Sequence, residues 1–232
     1  MSNKIKKFLN EYWPLLVVVL VTVPILFVAC FNKNVYHVDE SVSYSLSNYD
    51  MGWMNYPMNG ICTRYVMDGY KVTNNPFNFE MVWHWQALDE HPPLYYALLH
   101  FICSLFHNTL TKWTGLIINI ISFIVIECFI YIMTKNLTQS RLSAAFVTLL
   151  YGINPTIIQY SLMIRMYMML GVIFIGFVHF AYKFIQKFEF KYLVGLYFVT
   201  VIGGLTNYFF YVFFSYFLHL YDFSFRIKQI RY

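Results

Sequence analysis

The chain has 232 residues, of which 59% are hydrophobic, 22% aromatic and only 12% charged, with mean hydropathy +0.53 and formal charge +5. Soluble domains carry about 25% charged residues, so this composition argues against a water-soluble domain and for a chain that lives in lipid. The bases stand in ones, twos and threes between apolar runs, which speaks against nucleic acid as a partner. Its four cysteines, Cys30, Cys62, Cys103 and Cys128, form no C-x-x-C, so no thiol redox site or zinc knuckle is indicated.

In chain order, Lys4, Lys6 and Lys7 precede an uncharged run, 13–31, close to the roughly 20 residues a membrane span needs. It reads as a first span. Segment 32–112 follows, holding seven of the eleven acids: Asp39, Glu40, Asp50, Asp68, Glu80, Asp89 and Glu90. Within it, Val38, Val42, Leu46 and Tyr49 recur at helical spacing and predict a short amphipathic helix over 38–49. The apolar stretch 92–106, opened by Pro92-Pro93, is too short to cross comfortably and predicts an interfacial or re-entrant helix. Four apolar runs come after: 113–134, 142–164, 166–182 and 192–225. At 1.5 Å per residue the last would be about 50 Å long, against a hydrocarbon core of about 30 Å. Gly203-Gly204 and Thr206-Asn207 near its middle suggest a hairpin of two spans.

If 92–106 does not cross, eleven of the sixteen bases fall on one side: Lys4, Lys6, Lys7, Lys135, Arg141, Lys183, Lys187, Lys191, Arg226, Lys228 and Arg231. The positive-inside rule makes that side cytoplasmic. The expected fold is therefore an all-α, multi-pass integral membrane domain over 1–232, with about six transmembrane helices. Its long first loop is extracytoplasmic and carries the two interfacial helices.

Three clusters can carry chemistry. In His37-Val38-Asp39-Glu40-Ser41, the acid pair sits just beyond the first span, where a base acting on a lipid-linked substrate belongs. Capping of the following helix is the plainer role for it. In Asp89-Glu90-His91-Pro92-Pro93-Leu94-Tyr95-Tyr96, two acids and an imidazole precede a rigid turn. They suit a divalent cation or phosphate, or simply an acidic helix start. In Arg165-Met166-Tyr167, an arginine on the outer side departs from the charge bias. It is either a phosphate clamp or an interfacial snorkel. Glu127 and His179 lie inside spans, where hydrogen bonding between helices accounts for them.

The stretches HVDESVSYSLSNY, DEHPPLYYALLHFICSLF, IRMYMMLGV and GLTNYFFYVFF resemble, in order and rough spacing, the GT-C glycosyltransferases. The nearest resemblance is to the bacterial branch of the protein mannosyltransferase and aminoarabinose transferase family, glycosyltransferase family 39. It covers about residues 30 to 215. It implies a cell-membrane enzyme that takes sugar from a polyprenyl-phosphate donor, usually with inversion. The acceptor would be an extracytoplasmic hydroxyl of a glycan, lipid or protein. By this resemblance Asp39 is the catalytic base and Glu90 a ligand of the divalent metal ion that some members hold. Glu40, His91, Arg165 and Tyr167 bind substrate. Family members usually have ten or more spans, so the resemblance leaves open a fragment equivalent to the N-terminal half of a larger GT-C fold or a half-size homologue. The rival readings are a non-enzymatic transporter or assembly component for surface polysaccharide, and an inactive truncated homologue. A transporter places its polar residues near the midplane, whereas most acids here cluster in the outer loop.

Overall fold

The computed structural model describes residues 3–49, 64–217 and 219. Among them every regular element is a helix. Helix α1 (Asn3–Asn32) contains the expected first span. It buries a stripe of Leu15, Val18, Thr22, Leu26 and Cys30 while Leu16, Val17, Leu20, Val21, Val28 and Phe31 face outward. Water would oppose so much exposed apolar surface, whereas lipid accepts it.

Segment 32–112 contains four short helices: α2 (Val38–Asn48), α3 (Arg64–Asp68), α4 (Phe79–Ala87) and α5 (Leu94–Leu105). Helices α2 and α5 stand where the sequence pattern puts them, and α3 and α4 are additional to it. Residues 50–63, including Asp50 and Cys62, lie outside the described residues. Helix α2 departs from the expected amphipathic pattern. Ser41, Ser43, Ser45, Ser47 and Asn48 are buried with Tyr44 and Leu46, while Val38 and Val42 are only partly covered. The reason is that α2 is enclosed by α4 and α5. Small hydroxyls pack closely there and can return bonds to their own helix, as Ser43 Oγ does to Asp39 O at 3.0 Å.

Helix α6 (Lys112–Thr138) is central and touches α1, α5, α7, α8 and α9. The expected single span 142–164 is instead two helices, α7 (Arg141–Gly152) and α8 (Pro155–Leu162), bent by 57°. Local chemistry explains the break. Pro155 disfavours helical backbone at Asn154, and Asn154 caps the new helix by accepting from Thr156 N at 2.9 Å. The bent pair still runs the length of the bundle. At one end Arg141 Nη1 donates to Asn10 O at 2.6 Å, and just past the other end Ile164 N meets Glu40.

Helix α9 (Tyr167–Lys187) and α10 (Phe190–Thr206) pack side by side. The chain turns at Asn207, whose Oδ1 accepts from Phe209 N at 2.9 Å. Helical residues 209–217 then return along α9. Gly203 makes that turn close, because a Cβ there would lie 2.6 Å from the Phe210 ring. The hairpin is thus present as far as residue 217. Phe177 meets Phe210, Phe213 and Phe217 edge-on at 5.8, 5.6 and 5.0 Å. Such pairs add about 0.5–1.5 kcal/mol each beyond burial.

Three helical segments are long and apolar enough to cross a membrane: Asn10–Asn32, Lys112–Thr138 and Tyr167–Lys187. The bent pair α7–α8 makes a fourth if it is one span, and α10, like α5, is shorter.

Candidate active site

The start of α2 fixes the first wall of the site. His37 is the N-cap, and its Nδ1 accepts from Asp39 N at 3.2 Å. Glu40 reaches back to His37 N at 2.6 Å, completing a capping box. The two adjacent acids therefore part company. Asp39 keeps a carboxylate 39% exposed, while Glu40 is wholly buried. Glu40 also binds Lys33 Nζ at 2.8 Å and accepts from Ile164 N at 2.7 Å. The resemblance implies a substrate contact for Glu40, but the structure uses its carboxylate as a tie between segments.

The second wall is the turn before α5. Asp89 Oδ2 meets His91 Nδ1 at 3.0 Å, with the Asp89 side chain 5% exposed. Burial pushes the Asp89 carboxyl up. The His91 hydrogen bond, the Glu90 backbone bond and the charges of His91 and Arg165 outweigh it and hold it below its usual value. Glu90 is exposed. Behind this turn Tyr95 and Tyr96 are fully buried, edge to face at 5.7 Å, and neither hydroxyl has a partner among the described residues.

The third wall is the short turn between α8 and α9, which carries Arg165. Only 6% of Arg165 is exposed. Its Nη1 donates to Asp39 O at 3.4 Å; among the described residues its Nε has no partner and no ion pair includes it. Burial works against this charge, yet Tyr96, Tyr167 and Asp39 more than offset it and raise the pKa above the usual arginine value. Two residues the sequence reading passed over place this turn. Asn119 of α6 donates through Nδ2 to Ser161 O at 3.1 Å and Met163 O at 2.6 Å. Gly115, one turn earlier, lets Ile164 lie directly on α6, because a Cβ there would overlap Ile164 Cγ2. Only the Asn in an otherwise apolar run was a signal in the sequence.

Asp39, Asp89, Glu90, His91 and Arg165 line one cleft of about 440 Å³, with Val42 and Leu88 as its apolar sides. Tyr167 is not among its lining residues. It borders a larger cavity of about 1050 Å³ between α6, α8 and α9, walled mainly by apolar side chains such as Ile130, Ile157, Met163 and Phe174. The two spaces share the 163–167 segment: Met163 and Tyr167 face the apolar one and Arg165 the polar one.

The family described as dolichyl-phosphate-mannose-protein mannosyltransferase matches residues 90–226, more than half of the chain. The chain belongs to this mannosyltransferase family. It is accordingly a membrane glycosyltransferase of the GT-C type. No curated protein and no solved structure matches it significantly. The matched region of this mannosyltransferase-family chain includes Glu90, His91 and Arg165, while Asp39 and Glu40 precede it.

A metal fits these residues poorly. Glu90 is exposed, Asp89 is engaged by His91, and among the described residues no three His, Cys, Asp or Glu side chains gather as ligands.

Proposed function

We propose that this protein, a relative of the bacterial branch of glycosyltransferase family 39, moves a sugar from a polyprenyl-phosphate donor to an extracytoplasmic acceptor hydroxyl. The acceptor group belongs to a glycan, lipid or protein. The observation that carries the reading is the shared cleft, where an open carboxylate, Asp39, lies beside a buried cation, Arg165, without an ion-pair partner. Asp39 takes the proton of the acceptor hydroxyl as its oxygen attacks the anomeric carbon. The bond from that carbon to the phosphate oxygen breaks, and the electron pair leaves with the polyprenyl phosphate. Arg165 meets the growing charge, its fork matching phosphate oxygens. Attack opposite the leaving group inverts the anomeric centre. His91 and Glu90 border the sugar, and the adjoining apolar cavity beside Tyr167 takes the first units of the lipid tail.

The topology that goes with this chemistry has six spans in one membrane domain, with segment 32–112 outside. A bent crossing by α7–α8 returns the chain to the side of Asp39. Cysteines at His107 and Gln139, both exposed, should react oppositely with an impermeant thiol reagent once Cys62 is replaced by serine. Labelling of both from outside rules the topology out. The activity is tested by supplying membranes with radiolabelled sugars on polyprenyl phosphate. Transfer should depend on Asp39, and undiminished transfer by Asp39→Asn overturns the proposal.

A further inference from the structure

The turn that carries Arg165 has little structure of its own. Helix α9 begins at Met166 with no side-chain cap, and the Arg165 side chain is tethered to Asp39 only by a long 3.4 Å bond to a carbonyl. What places the turn comes from elsewhere in the chain. Ile164 N donates to Glu40 Oε1 at 2.7 Å, a bond between residues 124 positions apart. Met163 O accepts from Asn119 Nδ2 at 2.6 Å and from Arg165 N at 2.8 Å. The peptide group between Met163 and Ile164 is therefore gripped at both of its polar atoms, the N–H by α2 and the carbonyl by α6.

Glu40 is suited to this in two ways. It follows Asp39 directly, so the bond that holds Ile164 also sets the distance between the base and the arginine. Its negative charge is matched by Lys33 at 2.8 Å rather than by Arg165. A carboxylate free to pair with Arg165 would neutralise the charge that a phosphate needs. With Lys33 bound at Oε2, Glu40 anchors the turn through Oε1 and leaves the guanidinium outside every ion pair among the described residues. Burial makes this arrangement demanding, because a buried carboxylate that loses one donor is left partly unsatisfied.

We infer that Glu40 and Asn119 are positioning residues that hold the Arg165 guanidinium beside Asp39 for the donor's phosphate; this rests on the reading of Arg165 proposed above. Neither residue touches the substrate. In Glu40→Gln the NH₂ group faces either Ile164 N in place of Oε1, or both Lys33 Nζ and His37 N in place of Oε2, so one or two of the ties are lost and the charge opposite Lys33 is gone. Asn119→Ala removes both bonds to the far end of α8 and leaves α2 intact.

The test is a double-mutant cycle on the full chain in nanodiscs, with undecaprenyl phosphate as the probe and melting temperature recorded for each variant. Glu40→Gln should weaken phosphate binding by about tenfold in the native background but by less than about twofold in Arg165→Ala, since coupled residues depart from additivity. Asn119→Ala should behave alike, and it carries the same cycle if Glu40→Gln does not fold. A general loss of packing would lower affinity by the same factor in both backgrounds, and that result overturns the inference. So does native affinity in both Glu40→Gln and Asn119→Ala. An Arg165→Ala chain that binds the probe as well as the native chain overturns the phosphate reading itself, and the inference with it.

Discussion

The two ends of this molecule are held by different forces. Around the cleft, α2, the turn before α5 and the Arg165 turn are joined by directional bonds between buried polar groups: Glu40 with Lys33 and Ile164, Asn119 with Met163, Asp89 with His91. Around α9 and α10 the contacts are rings on rings and glycines against rings. Directional bonds fix positions to a fraction of an ångström but fail when one partner is removed. Apolar packing tolerates exchange of shape at nearly constant volume. The cleft should therefore be brittle and the α9–α10 pair forgiving.

The largest expected effect is chemical. Asp39→Asn keeps the shape of the cleft but removes the proposed base, so turnover should fall by roughly 10²–10⁴-fold. Melting temperature should hardly move, because the Asp39 carboxylate is partly exposed and the His37 cap uses its backbone. A parallel loss of stability would mean that Asp39 is part of the brittle framework rather than of the chemistry. Next comes Gly115→Ala, whose new methyl must displace Ile164. Overpacking of this kind costs about 1–3 kcal/mol, and transfer should drop with it as Arg165 moves. Unchanged transfer at lowered stability would separate the turn from α6.

A smaller effect belongs to Asp89. Its folded pKa lies below the ordinary 3.8, so its contribution is fully present above that value and is lost as pH falls through the folded pKa. Asp89→Asn should be less stable than the native chain by about 1 kcal/mol at neutral pH. The gap should hold down to about pH 5 and close below about pH 4. A gap independent of pH would show that the charge on Asp89 is not what binds His91. Smallest of all should be the effect of Phe177→Leu on transfer: it gives up ring pairs worth about 0.5–1.5 kcal/mol each and lowers stability, yet leaves transfer unchanged. A large loss of transfer there would end the contrast between the two regions.

The sequence was informative where a single local rule decided the outcome. The apolar run 13–31, the helix after His37 and the Pro-Pro start of α5 each follow from spacing or a breaker residue nearby. It was misleading where tertiary context decided. Asp39 and Glu40 look alike in a string, and only the arrival of Ile164 from far along the chain buries one and leaves the other open. The serines of α2 read as a polar face, yet enclosure by α4 and α5 puts them inside. Pro155 lies in an uncharged run that composition alone scores as one span, while its backbone constraint divides that run in two.

The tie between Glu40 and Ile164 has a consequence for the surrounding bilayer. Arg165 is referenced to the protein's own frame rather than to the headgroup plane, so a phosphate held there sits at a depth the fold dictates. Thickening or thinning the bilayer tilts spans or stretches lipid at a modest cost per ångström, but it does not move Arg165 relative to Asp39. The protein acts as a fixed gauge, and a carrier lipid must rise or sink to meet it. Sugar transfer should accordingly keep its rate per bound donor across bilayers of different acyl length, with thickness altering only how readily the donor enters.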